Sequence, residues 1–365
     1  MPPVAVTFHG PRSVGFVEEP ARPLEPGQVR LRTLYSGIST GTEMTAYRGT
    51  NPYLHKLWDP DRRLFIDARE QRTLSYPVIG WGYEEVGEVV EVAEDVGDLS
   101  PGSVVYGTWG HRTECIVSAE YARKRILADG VDPIYGVFSQ LGAIALNGVL
   151  DAAIRLGETV AVFGLGVVGQ LVAQLARLSG ATVVGVDLLP ARLETARTLG
   201  VDIALDGSAG SPAEQIKEHT SGRGADVCIE ASGATSALNE AIRAAAYSSK
   251  VVAMGFFQGP AGGLFLGEEF HHNRVNIVGS QIGGVAPDLQ HRWNTDRLVH
   301  TFMRLVETRQ LQLQPLITHT MPAREAPILF DLLDRELSSV LQAVLDFRDG
   351  IPSTTVSAAQ PGTQQ

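Results

Sequence analysis

Gly164, Gly166 and Gly169 stand at G-x-G-x-x-G spacing in "TVAVFGLGVVGQLVAQLA". A continuous apolar run precedes them and a helical period follows, which is the context a pyrophosphate cradle needs. Gly164 permits the tight turn, Gly166 lets backbone N–H groups approach a phosphate, and Gly169 lets the helix pack on the strand. The helix N-terminus adds partial positive charge. Asp187 closes the next apolar run, "TVVGVD", about twenty residues on. A carboxylate there accepts from ribose hydroxyls and repels a 2′-phosphate, so NAD(H) is expected ahead of NADP(H). Arg192 would weaken that preference, stack on the adenine, or serve as a surface contact.

Other stretches carry polar chemistry. "RGTNPYLHKLWDPDRRLFIDARE", residues 48–70, mixes aromatics with His55, Lys56, Arg62 and Arg63. A segment of that length is either a solvated loop or a lid and substrate wall. As a wall, His55, Lys56 and Trp58 would meet a hydroxylated or anionic substrate, because aromatics stack on sugar faces and cations bind anionic groups. His111, in "YGTWGHRTECIV", is placed at a loop-to-strand junction, either as a proton shuttle or as a surface residue. His271 and His272 would point to opposite sides of an extended segment and so would not share a metal.

These groups need elements of two kinds to position them. A chain of 365 residues is long for one core, so two domains are expected. The net charge of −11 disfavours nucleic acid and anionic membranes as partners. The two cysteines, Cys115 and Cys228, exclude a disulfide framework and a four-cysteine zinc lobe. A cytoplasmic location is expected: no basic-then-apolar leader is read, and no apolar run reaches the ~18 residues of a membrane span. Up to about residue 125, "VAVTF", "VRLRTLY", "EEVGEVVEVA", "SVVYGTW" and "CIVSA" read as short strands separated by Gly and Pro. Later, the apolar strands "TVAVFG", "TVVGVD", "DVCIEAS" and "KVVAMGF" alternate with helices, which predicts a parallel sheet. The expected domains are 1–145 with 286–350, and 146–285. Residues 351–365 read as a disordered tail.

Further stretches carry a resemblance. "SGISTGTE" looks like an S-G-I-C-G-T-D loop with one residue added, and "GYEEVGEVVEV" like a G-H-E-x-x-G-x-V strand. With "GVDLLPARLETARTLG", "DVCIEASG" and "RVNIVGS", the chain resembles the zinc-type medium-chain dehydrogenase/reductase superfamily over roughly residues 4–348. The resemblance implies an α/β fold: a GroES-like β-barrel catalytic domain plus a Rossmann doubly wound parallel-sheet cofactor domain, with the nicotinamide in the cleft. It extends the expected cofactor contacts to Thr40, Val167, Val168, Ala231, Ser232, Gly255 and Phe256. It also implies hydride transfer to or from an alcohol or carbonyl, and a homodimer.

Aligned with the family's metal ligands, this chain has Thr40 for Cys, Tyr83 for His and Gln140 for the third ligand, with Glu84 kept beside Tyr83. A hydroxyl, a phenol and an amide are poor zinc ligands, so no metal is expected. Tyr83 and Thr42 then become the expected proton relay, or Tyr83 simply fills the vacated site. Glu84 would be structural, orient Tyr83 or form a dyad with a nearby cation, and the one remaining metal reading pairs it with His111 or His55 in an unexpected zinc site. The expected activity is that of an NAD-dependent, zinc-independent dehydrogenase acting on a small hydroxylated molecule such as a sugar, cyclitol or biosynthetic intermediate. Similarity to bacteriochlorophyllide-type dehydrogenases points the same way. The alternatives are an enoyl or quinone reductase of the same fold, and a dinucleotide-binding protein without turnover.

Overall fold

The computed structural model describes residues 2–67 and 72–351. The expected tail from residue 352 onward, and residues 68–70 of the insert, lie outside the described residues. Ile351, placed in that tail by the sequence, is instead buried in a core. The chain divides into two compact units, Met1–Gln140 with Ile317–Gln365, and Leu141–Leu316. Residues 286–316, including the helix Thr295–Glu307, fall in the second.

The first unit is built around the strand Gln28–Ile38. Its sequence alternates until Tyr35, then runs buried through Ser36, Gly37 and Ile38. The strand pairs antiparallel with Glu85–Val92, Glu114–Ser118 and Gln342–Asp346, in a register that sets Ser36 opposite Glu85 and Ile38 opposite Ala343. Val104–Gly107 and Ile317–Pro322 complete this sheet, the latter pairing parallel, so the sheet is mixed. A smaller sheet joins Val4–Gly10 to Ser13–Glu18 and Val78–Ile79. Residues 48–67 of the insert are more ordered than a loop. They carry the helical turn Pro52–Leu54 and the hairpin Lys56–Asp59 with Leu64–Asp67, where Trp58 packs on Phe65 at 4.9 Å.

The second unit holds six parallel strands in the spatial order Ile203–Asp206, Thr182–Asp187, Thr159–Phe163, Ala225–Glu230, Ala245–Ala253, Asn276–Gly279. This is the doubly wound α/β arrangement that the apolar runs predict. Strand order reverses between Thr159–Phe163 and Ala225–Glu230, and ligands bind at the carboxyl ends of strands at such a point. Ile203–Asp206 is too short to stand out in the sequence, and parallel pairing with Thr182–Asp187 makes it a strand. The helical stretch Pro133–Ala152 is long and apolar enough to cross a membrane, with mean hydropathy 1.3, but 67% of it is buried within the protein, as in a core helix.

One cluster matters for the site. Phe330, on the helix Ala326–Arg335, stacks on Tyr47 at 5.7 Å, and it meets the rings of Phe8 at 5.0 Å and His111 at 6.0 Å nearly edge-on. Phe330→Ala should cost about 3–5 kcal/mol of stability in this unit. The midpoint of urea unfolding checks it, and an unchanged midpoint would show that the ring is not a packing centre.

Candidate active site

The glycine-rich turn has the geometry its spacing predicts. Gly164 has φ +88°, and its N–H donates to Val186 O at 2.8 Å. A Cβ on Gly169 would strike the Gly164 carbonyl oxygen. Gly166 caps the helix Val167–Leu178, and a Cβ there would meet nothing nearer than Arg192 Nη1 at 4.0 Å. The N-terminus is therefore open to a phosphate. Val167 is buried and Val168 partly buried in the first turn. Asp187 is buried and braces the turn: Oδ2 accepts from Leu165 N at 2.7 Å and Oδ1 from Leu189 N at 2.9 Å. Arg192 Nη1 lies 3.7 Å from Asp187 Oδ2, so the arginine faces the carboxylate rather than open solvent.

Ala231 and Ser232 follow the strand Ala225–Glu230, where Glu230 Oε1 accepts from the N–H groups of Ser232 at 2.7 Å and Gly233 at 3.0 Å. Gly255 and Phe256 follow Ala245–Ala253, with Phe256 exposed. These residues share the carboxyl end of the sheet with the cradle. A nicotinamide dinucleotide fits this set: an open helix N-terminus for the pyrophosphate and a strand-end acid for the ribose.

The first unit holds the second constellation. Tyr83 is partly buried, and its hydroxyl lies 2.5 Å from Ser39 Oγ and 3.2 Å from Thr42 Oγ1. Burial, reinforced by the Glu84 carboxyl, holds its pKa above the ordinary phenol value. Ser39 N donates to Glu43 Oε1 at 2.9 Å, and Glu43 Oε2 meets His111 Nε2 at 2.6 Å. His111 Nδ1 meets Ser36 Oγ at 2.6 Å, and Ser36 Oγ donates to Glu85 Oε1 at 3.0 Å. Thr45 ties this patch to the insert: its hydroxyl donates to Thr42 O at 2.6 Å and accepts from Asn51 Nδ2 at 2.7 Å.

Glu84 is fully buried beneath, and Gln342 Nε2 donates to its Oε2 at 2.7 Å. Gly37 makes room for this pair, since a Cβ there would strike the Glu84 carboxyl. Glu84 Oε1 and Gln342 Oε1 are both buried without a hydrogen-bond partner among the described residues. A proton on Glu84 removes the buried charge and supplies a donor. Burial, reinforced by the Glu43 carboxyl, accordingly holds Glu84 well above the usual carboxylate range.

Several expectations are relocated by this geometry. His111 is fully buried rather than at a loop surface, and burial pushes its pKa down to about 4, so it is neutral at physiological pH. Glu84 pairs with Gln342, not with His111 or His55. Ser39, beside the expected Thr42, supplies a hydroxyl against Tyr83. His55 and Lys56 are exposed, and His55 Nε2 meets Gly49 O at 3.0 Å. His271 and His272 lie on a helical segment rather than an extended one, with ring centroids 5.5 Å apart. Ser36, Ser39, Glu43, Glu85 and Gln342 were not singled out from the sequence. The register of Gln28–Ile38 with its neighbours is what joins them.

Residues 167–298 match the zinc-binding dehydrogenase family. The chain is 30% identical over 322 residues to D-guloside 3-dehydrogenase of Escherichia coli K12, covering 87% of this chain and 92% of that one. The crystal structure of 2R,3R-butanediol dehydrogenase from Bacillus subtilis superposes with TM-score 0.75 at 22% identity, covering 94% of this chain and 99% of that chain. A Sinorhizobium meliloti 1021 structure described as a zinc-binding dehydrogenase, bound to NADP, gives TM-score 0.75 at 22% identity, with coverage of 95% and 99%. The chain therefore belongs to the zinc-type alcohol dehydrogenase-like branch of the medium-chain dehydrogenases/reductases. It is an oxidoreductase.

The family's metal can be tested against the donors present. The hydroxyls of Ser39, Thr42 and Tyr83 are engaged with one another, and Glu43 is engaged with His111. Among the described residues, no three His, Cys, Asp or Glu side chains are grouped to hold a metal ion. Neutral hydroxyls match zinc poorly.

Two outcomes are expected. Gly169→Val should weaken NADH binding by ~10- to 100-fold, an overpacking cost read by fluorescence titration. Unaltered affinity would mean the turn does not cradle the dinucleotide. For Glu84, a raised folded pKa favours the fold below about pH 4.5 and loses that advantage as pH rises, because only the unfolded carboxyl ionises freely. The stability of Glu84→Gln relative to wild type should therefore increase from pH 5 to pH 8 in urea titrations. A difference independent of pH would mean Glu84 is ionised in the fold.

Proposed function

We propose that the protein is an NAD-dependent, zinc-independent dehydrogenase that oxidises a secondary hydroxyl of a sugar or glycoside, or reduces the corresponding ketone. The observation that carries this reading is the Tyr83 hydroxyl, gathered with Ser39 and Thr42 over buried carboxyl groups. The 30% identity to a D-guloside 3-dehydrogenase, across nearly all of that protein, supports the substrate class. Asp187 supports NAD, since an acid at that strand end repels a 2′-phosphate.

The cofactor supplies or accepts the hydride when bound. Gly164, Gly166 and the N-terminus of Val167–Leu178 would hold its pyrophosphate, and Asp187 its ribose. In the reductive direction the Tyr83 phenol donates its proton to the oxygen that gains negative charge. One phenol proton serves the shorter bond to Ser39 at rest, which leaves the Thr42 hydroxyl able to donate to the phenol oxygen. Oxidation runs the same relay backwards and starts from the Tyr83 phenolate, the minor form at neutral pH, which takes the proton of the substrate hydroxyl. Because the phenol pKa lies above about 10, the acid form persists through neutral pH. Reduction should be flat between about pH 6 and 9, and oxidation should speed up with rising pH.

The test uses methyl D-guloside with NAD⁺ or NADP⁺. Turnover should favour NAD⁺, and Tyr83→Phe should lower kcat by ~10²–10⁴-fold with NADH affinity retained. A Tyr83→Phe enzyme with full kcat would remove the phenol from the mechanism. A preference for NADP⁺ would overturn the role given to Asp187.

A further inference from the structure

The hydrogen bonds beneath Tyr83 fix where the protons are. Ser36 has one hydroxyl proton, and it goes to Glu85 Oε1 at 3.0 Å. Glu85 Oε2 already accepts from Trp109 N at 2.6 Å. His111 Nδ1, 2.6 Å from Ser36 Oγ, must then carry a hydrogen and donate it. In a neutral ring that leaves Nε2 as a bare acceptor, 2.6 Å from Glu43 Oε2. Two bare acceptors at that distance repel, so a proton lies between them. It resides on Glu43 as a neutral acid or on His111 as an imidazolium. The surroundings choose the first. Both side chains are fully buried, and Glu84, Glu85 and the Tyr83 oxygen also face the cluster. Glu85 favours a charge on His111 and Arg112 disfavours it, and burial outweighs Glu85. Burial raises Glu43 well above the carboxylate range and lowers His111 to about 4.

We propose that Glu43 is a neutral carboxylic acid and a positioning residue: one oxygen donates to His111, and the other takes the Ser39 backbone N–H and so holds the Ser39 hydroxyl against Tyr83. No hydrogen bond joins Glu43 directly to the Tyr83 hydroxyl among the described residues, so Glu43 acts through Ser39 and is not a step in proton transfer. The positioning role rests on the reading of Tyr83 as the acid. The protonation of Glu43 does not.

The experiment compares Glu43→Ala with Glu43→Gln, using methyl D-guloside and NAD⁺. Glutamine keeps an acceptor for Ser39 N and offers an N–H to His111, as the neutral acid does. Glu43→Ala should lose kcat by ~10- to 100-fold through misplacement of the acid, with NADH affinity unchanged, and Glu43→Gln should restore most of it. A Glu43→Gln enzyme as impaired as Glu43→Ala, or a Glu43→Ala enzyme with full kcat, would overturn the proposal. An infrared measurement covers the case in which Glu43→Ala does not fold. In a Glu84→Gln background, the C=O stretch of a buried neutral carboxyl should be present and should vanish on adding Glu43→Gln. Its absence before that second substitution would show Glu43 ionised and overturn the proposal. If Tyr83→Phe alone keeps full kcat, the reading of Tyr83 fails instead, and the infrared band still decides the state of Glu43.

Discussion

Three carboxyl groups, Glu43, Glu84 and Glu85, are buried together with one imidazole and without an ion pair to Lys or Arg among the described residues. Leaving three charges in that place would cost several kcal/mol per ion. The structure meets this constraint by raising the pKa of two of them and by hydrogen bonding. Glu85 keeps two donors, Ser36 and Trp109. Glu43 and Glu84 are held toward their protonated forms, each with a polar partner brought from a distant segment: His111 in one case, Gln342 in the other. Gly37, Ser36 and the register of the central strand follow from the need to seat these partners. Tyr83 and its hydroxyl neighbours rest on this floor, so the phenol inherits a surrounding that keeps its proton on.

The two constellations differ in how far the sequence discloses them. The phosphate cradle is local. Gly164, Gly166, Gly169 and Asp187 lie within one strand–helix–strand unit, and the backbone demands at each are legible from spacing. The second is assembled from strand pairs. Ser36 and Glu85 are 49 residues apart, and Gln342 is 258 residues from Glu84. Register brings them together, and no pattern in a single sequence fixes a register between such segments. Thr42 is legible because a family loop can be laid over "SGISTGTE", and Tyr83 because a family strand can be laid over "GYEEVGEVVEV". Ser39 joins them in the structure without a motif that marks it.

The same contrast holds for the fold. Apolar runs and Gly-punctuated turns mark most strands of both units, because burial on one or two faces leaves a periodic trace. Ile203–Asp206 leaves none, being four residues long and defined by its neighbour. The 48–70 insert misleads in the opposite sense. Its charges and aromatics read as a loop, yet Trp58 and Phe65 pack across a hairpin and supply the local cohesion of a strand pair.

We propose that the Tyr83, Ser39 and Thr42 hydroxyls over buried carboxyl groups, rather than zinc, serve the reaction in this chain. Metal analysis of the active protein, purified without chelators and equilibrated with zinc before dialysis, tests it most directly. The account predicts far less than one zinc per chain, with turnover unaffected by a chelator. One tightly held zinc per chain whose removal abolishes turnover would contradict it.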